Sequence, residues 1–222
     1  ESIFQGTIGA SFTSAEGDQS ELNQLGRLNT SDQWWTIFGS VQTSFFIDSL
    51  FNPAVVDMKV KPMLNEITLR GQGQYGFDER MTPTSMSTMG GYYTVRGYPQ
   101  SVTSGDSSVQ GSVEYRLHLS RTFSASPEEA GWLEDSFRWT RDPNTGADPD
   151  WHLAFLAFFD AGTVWISDPY SYEDASTTML GAGVGVELSI LENFSFTFNY
   201  GWALKDLEAA EVEIGDTQMY FL

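Results

Sequence analysis

A lone arginine stands in the uncharged run Gly90-Gly91-Tyr92-Tyr93-Thr94-Val95-Arg96-Gly97-Tyr98. The glycines allow tight turns. The tyrosines, Tyr98 above all, offer ring faces on which a guanidinium can pack while its five donors keep the fork geometry that suits a carboxylate. Such a carboxylate occurs at Phe158-Phe159-Asp160-Ala161-Gly162, where an Asp interrupts an apolar run and would be costly there without a partner. Glu114 is a second candidate acceptor. These residues predict a loop tip whose Arg96 comes within hydrogen-bond reach of Asp160, with Glu114 close by.

The remaining chemistry is sparse. His118 and His152 are the only histidines, and His118 alternates onto one strand face with Glu114 and Arg116. A His-carboxylate pair is the minimum for base catalysis, but no motif such as G-x-S-x-G places a nucleophile near it. Nor does the chain contain a Gly-Lys-[Ser/Thr] loop to cradle nucleotide phosphates. Cysteine is absent, which removes thiol chemistry and disulfides. Asp142, Asn144, Gly146, Asp148 and Asp150 space oxygen ligands at every second position as a calcium loop does, yet the late bidentate Glu is missing, so a solvated acidic turn is the simpler expectation. A protein that is not an enzyme and uses no cofactor or metal is predicted. A net charge of −19, from 11 basic and 30 acidic residues, argues against a nucleic-acid partner.

The elements that must position Arg96 and Asp160 read as strands. Gly numbers 21 and aromatic residues make up 14% of the chain, against 18% charged, a mix that favours β structure with many turns. Residues 193–202 alternate without a break: Phe194, Phe196, Phe198, Tyr200 and Trp202 on one face, Asn193, Ser195, Thr197, Asn199 and Gly201 on the other. Neither face carries a charge, which is unusual for a sheet whose polar side meets water and expected for one that faces lipid. Segment 109–119 sets Val109, Val113, Tyr115, Leu117 and Leu119 against Gln110, Ser112, Glu114, Arg116 and His118. Segment 179–190 sets Leu180, Ala182, Val184, Val186, Leu188 and Ile190 against Gly181, Gly183, Gly185, Glu187 and Ser189, and its glycines leave room for something to approach closely. Five further strands are expected at roughly 2–13, 34–48, 64–77, 151–166 and 216–222.

No stretch approaches ~18 consecutive apolar residues, so a membrane helix is excluded, whereas a membrane β-strand needs only ~9–11 residues of alternating polarity. Acidic residues gather in 14–32, 126–150, 167–176 and 205–216, between the strands. Connections alternate between short, as at Leu191-Glu192, and long, as in outer-membrane barrels. That alternation places 79–108 outside and the acidic insertion 120–150 on the periplasmic side. The chain opens at Glu1 without a leader-like segment and is expected to be a fragment.

Val95, Arg96, Gly97 and Tyr98 match a V-R-G-[FY] loop tip, and Phe158, Asp160 and Gly162 match an F-x-D-x-G strand. With these motifs the chain resembles the outer-membrane protein-translocating barrel superfamily. The glycine pair before the tip, Gly105-Asp106 and Glu114 bring it closest to the two-partner secretion translocators of the haemolysin/haemagglutinin secretion-activation family. The resemblance implies an all-β transmembrane antiparallel barrel, in which about eight strands here form the C-terminal half of sixteen and the loop 79–108 folds into the lumen. It assigns Arg96 to the tip, Asp160 to its acceptor and Glu114 to a second acceptor. It also implies a Gram-negative-type outer membrane with lipid around the strands and a secreted partner polypeptide exported without nucleotide. An insertase that assembles other barrel proteins is the alternative within the superfamily. A passive porin, an outer-membrane enzyme and a small closed eight-stranded barrel are the readings outside it.

Overall fold

The computed structural model describes residues 2–54, 62–122, 137–140 and 147–222. Among the described residues ten strands form in chain order: β1 (Ser2–Ser14), β2 (Gln33–Phe46), β3 (Asn65–Tyr75), β4 (Ser87–Met89), β5 (Thr103–Gly105), β6 (Ser107–His118), β7 (Trp151–Trp165), β8 (Ser176–Ile190), β9 (Phe194–Ala203) and β10 (Thr217–Phe221). Eight of them make one antiparallel sheet in the order β1-β2-β3-β6-β7-β8-β9-β10. Each long strand pairs with its neighbours in the sequence of long strands, a meander that alternating side chains and short reversals favour. The eight long strands lie where the alternation placed them. Among the described residues β1 pairs only with β2 and β10 only with β9, so the sheet is not closed.

The register puts one set of side chains on a common inner face. One row runs Gln5, Gln42, Arg70, Ser112, Asp160 and Gly181 across β1 to β8, and the next runs Ser44, Thr68, Glu114, Phe158, Gly183 and Gly201 across β2 to β9. Every charged or histidine side chain of the eight strands lies on this face: Glu66, Arg70, Glu114, Arg116, His118, His152, Asp160 and Glu187. The outward positions carry none, and Phe4, Ile8, Trp35, Val113, Phe159, Phe194 and Phe221 are exposed there. The sheet is thus polar within and apolar without, the reverse of a water-soluble sheet.

Connections 15–32, 76–106, 166–175 and 204–216 leave one end of the sheet, and 47–64, 119–150 and 191–193 leave the other. The first end carries a buried apolar cluster. Within 76–106 a two-stranded ribbon forms, β4 against β5 with Ser87 opposite Gly105, and the tip 90–98 lies between its strands. Three residues per strand are too few to leave a period in the sequence, so this ribbon was not expected. Of the acidic segment 120–150, Asp142, Asn144 and Gly146 lie outside the described residues. Asp148 accepts a hydrogen bond from Arg121 (2.7 Å), and Asp150 accepts one from the Arg138 backbone N–H (2.7 Å).

Candidate functional site

The tip folds on itself first. Gly91 N–H donates to the Val95 carbonyl (3.1 Å), and Gly90 N–H donates to the Thr94 hydroxyl (2.8 Å). Gly97 has φ +101°, which a side chain resists, and a Cβ there would meet the Trp202 backbone at 2.5 Å. The loop then lies on the inner face of β7, β8 and β9. That surface is floored by glycine: a Cβ on Gly181 would sit 1.8 Å from the Arg96 carbonyl oxygen, and one on Gly162 would sit 2.5 Å from the Met89 sulfur. Met89, Val95 and Tyr98 pack with Val164, Met179, Ala203, Leu207 and Val212 into a buried apolar cluster. Each large side chain buried in this way contributes roughly 1.5–3 kcal/mol to holding the loop down.

Over this floor Arg96 spends its whole fork. Nε donates to Asp160 Oδ2 (2.8 Å), one Nη donates to Asp160 Oδ1 (2.9 Å) and the other to Glu114 Oε2 (2.8 Å). The Arg96 backbone N–H also donates to Asp160 Oδ2 (3.1 Å), and the Ser112 hydroxyl donates to Oδ1 (2.6 Å). Asp160 is fully buried, and Arg96 is 5% exposed. Burial opposes the charge on Arg96, but the hydrogen bond and field of Asp160, with Glu114 adding to them, outweigh it, and the guanidinium pKa is raised. Glu114 is held in turn by Arg116, which also reaches Thr68 (3.1 Å) and Glu187 (3.4 Å).

The aromatic partner differs from the one expected. The Arg96 guanidinium lies 3.5 Å from the centre of the Phe158 ring, not on Tyr98. Phe158 sits one row from Asp160 on β7, directly under the fork, whereas Tyr98 has turned into the apolar cluster. The Tyr98 hydroxyl approaches the carbonyls of Lys205 (2.7 Å) and Leu180 (3.0 Å), tying the tip to the β9–β10 connection and to β8. Tyr220 of β10, which no motif marks, also anchors the tip. Its hydroxyl donates to the Tyr98 carbonyl (2.8 Å) and accepts from Gly97 N–H (3.0 Å). Its inner-face parity was the only available signal.

The structure therefore brings together Val95, Arg96, Gly97, Tyr98, Phe158, Asp160, Gly162 and Glu114. His118 stands apart from them: it contacts Glu66 (2.8 Å) and His152 (2.8 Å), not the carboxylate of Glu114. Beside the loop a cleft of about 280 Å³ remains, between Tyr92 and Tyr93 on one side and Gln5, Ser40, Gln42 and Gln72 on the other.

No protein-family model and no curated protein matches the chain. The fold resembles that of CdiB from Escherichia coli. Over 98% of this chain and 33% of that one the TM-score is 0.61, at 16% sequence identity. This chain spans about a third of that structure's length, and the likeness is one of fold.

Proposed function

We propose that the chain is the C-terminal half of an outer-membrane translocator that exports a partner polypeptide, of the two-partner secretion type. The observation that carries the proposal is the buried Arg96 fork on Asp160 and Glu114, which seats a loop of some thirty residues on the polar inner face of a sheet whose outer face is apolar and uncharged. A polar inner face with an uncharged outer one suits strands standing in lipid. A seated loop suits a pore that is stoppered at rest. The fold likeness to CdiB supports the same reading.

In this mechanism the sheet belongs to a barrel in the outer membrane, and the loop 79–108 is its plug. Arg96 holds the plug through two carboxylates and the ring of Phe158. The wall across the cleft, made of Gln and Ser side chains around Arg70, offers amide and hydroxyl partners to an extended chain beside a single cation. Export draws no energy from nucleotide, and no side chain serves as a catalyst.

Replacing Arg96 by Ala in the complete protein tests the proposal. Export of the partner, read as its amount in the medium per heat-modifiable barrel in the outer membrane, is expected to fall severalfold while the barrel remains. Leaving Asp160 buried without its cation, while Glu114 keeps Arg116, costs up to about 3–5 kcal/mol, enough to unseat the loop. Undiminished export would remove the Arg96 lock from the mechanism.

A further inference from the structure

Asp106 is buried and lies far along the loop from Arg96, at the junction of β5 and β6. Four donors from three separate connections converge on its carboxylate. Arg27 of connection 15–32 meets it end-on, with one Nη 2.5 Å from Oδ1 and the other 2.8 Å from Oδ2. Met81 N–H of connection 76–106 donates to Oδ1 (2.8 Å), and Ser167 N–H of connection 166–175 donates to Oδ2 (2.8 Å). Arg27 also donates to the Met81 carbonyl (2.8 Å). A second arginine runs the same way. Arg80 donates to the Leu28 carbonyl (2.8 Å) and pairs with Glu173 through both oxygens (2.9 and 2.8 Å).

The connections so joined arise on opposite sides of the sheet. Connection 15–32 belongs to β1 and β2, and connection 166–175 belongs to β7 and β8. In the sheet order β3 lies between β2 and β6, so the contact from Arg27 to Asp106 spans it, and the Met81 sulfur accepts from the Thr36 hydroxyl of β2 on the inner face (3.6 Å). The bonds therefore form a chord across the inner side of the sheet at its loop end. None of the four donors touches Asp160 or Glu114.

We propose that Asp106 and Arg27 are positioning residues of a second latch, which closes the outer mouth independently of the Arg96 lock. The inference rests on the translocator reading, in which this end faces outward, and it adds that the mouth is shut by a separate device from the plug. A carboxylate with all its acceptor positions filled by charged and backbone donors is a strong hub while intact. It is also an abrupt one, because a buried charge that loses one partner destabilises the rest.

Protease access to the outward connections, measured on the complete protein in lipid vesicles with no partner present, separates the two devices and does not depend on export. Asp106→Asn keeps the shape of the side chain but loses its charge, and Arg27→Gln removes the two-donor contact while leaving the backbone donors. Either is expected to raise cleavage within 15–32 and 166–175 by roughly tenfold or more, the weight of a charged hydrogen bond. Arg96→Ala is expected to leave cleavage at those sites unchanged, and Arg27→Lys, which keeps the charge, is expected to recover part of the protection. Cleavage at the wild-type rate in folded Asp106→Asn and Arg27→Gln would overturn the latch. Equal opening by Arg96→Ala would overturn its independence, and failure of both hub variants to fold would make Asp106 an assembly residue and overturn it as well. A normal latch in a protein that exports nothing would instead count against the translocator reading alone.

Discussion

Gly181 sets how closely the loop tip can approach the sheet, because the Arg96 carbonyl oxygen occupies the space where its side chain would begin. An added Cβ 1.8 Å from that oxygen cannot be absorbed by a flexible side chain, since both atoms belong to backbone or stand next to it. Gly181→Ala is expected to lift the tip and to act like Arg96→Ala although the ionic partners are untouched. Overpacking of this kind costs about 1–3 kcal/mol. Single-channel conductance of the complete protein in a planar bilayer is the measurement, with more frequent open events expected. Gly111→Ala is the control, because its Cβ would lie 3.6 Å from the Arg70 carbonyl oxygen, an ordinary contact. Wild-type conductance in Gly181→Ala would mean that the tip is not held where the structure places it. At this scale the sequence was readable for a definite reason: an Asp in an apolar strand and an Arg among glycines each require a partner. Phe158 as the ring under Arg96 was not readable. Choosing between it and Tyr98 depends on which ring turns into the apolar cluster, and that cluster is assembled from β7, β8, β9 and the β9–β10 connection.

Strand existence was legible because side chains alternate with period two and the two faces meet different surroundings. Exchanging the inner and outer sets of a strand would need a one-residue slip, which in β7 would carry His152, Phe158 and Asp160 outward together. The short ribbon β4–β5 and the Asp106 hub were not legible. Arg27 sits in an acidic connection with nothing in its spacing to mark it, and Asp106 stood only as part of a motif. Hydrogen bonds between connections that are 61 and 79 residues apart leave no local pattern. The alternation does make a testable statement about elements. Val113 is 48% exposed at an outward position of β6, level with Leu69 and Phe159 on the neighbouring strands. In lipid, Val113→Arg is expected to cost about 2–4 kcal/mol, whereas an arginine on the watery inner face costs little. Denaturant titration in vesicles, followed by heat-modifiable mobility, compares Val113→Arg with Gln72→Arg on the inner wall of β3. Equal stability of the two variants would mean that the outward face does not meet lipid.

For the whole molecule the question is what the two free edges of the sheet pair with. An eight-stranded barrel is just wide enough for its own side chains to fill. Here the inner face carries, besides those side chains, a loop with a ribbon, a buried apolar cluster and a cleft of about 280 Å³. Closing β1 onto β10 would shrink that space to less than the loop occupies. The edges are therefore expected to pair with strands of a longer chain, which agrees with a fold that covers 33% of CdiB. The 222 residues contain no cysteine, so an engineered pair within them has no native thiol of this segment to compete with. Thr7 and Ser40 are register partners on β1 and β2, and cysteines there should oxidise to a disulfide in the complete protein, since Cα atoms of paired strands fall within the ~4.4–6.8 Å that a disulfide spans. Cysteines at Thr7 and Gln218, on inner positions of the two edge strands, should remain reduced under the same oxidant. Mobility on non-reducing gels and thiol labelling read both pairs. Efficient bridging of Thr7 to Gln218 would establish a closed eight-stranded barrel, and a loop of this size could then not be a plug within it.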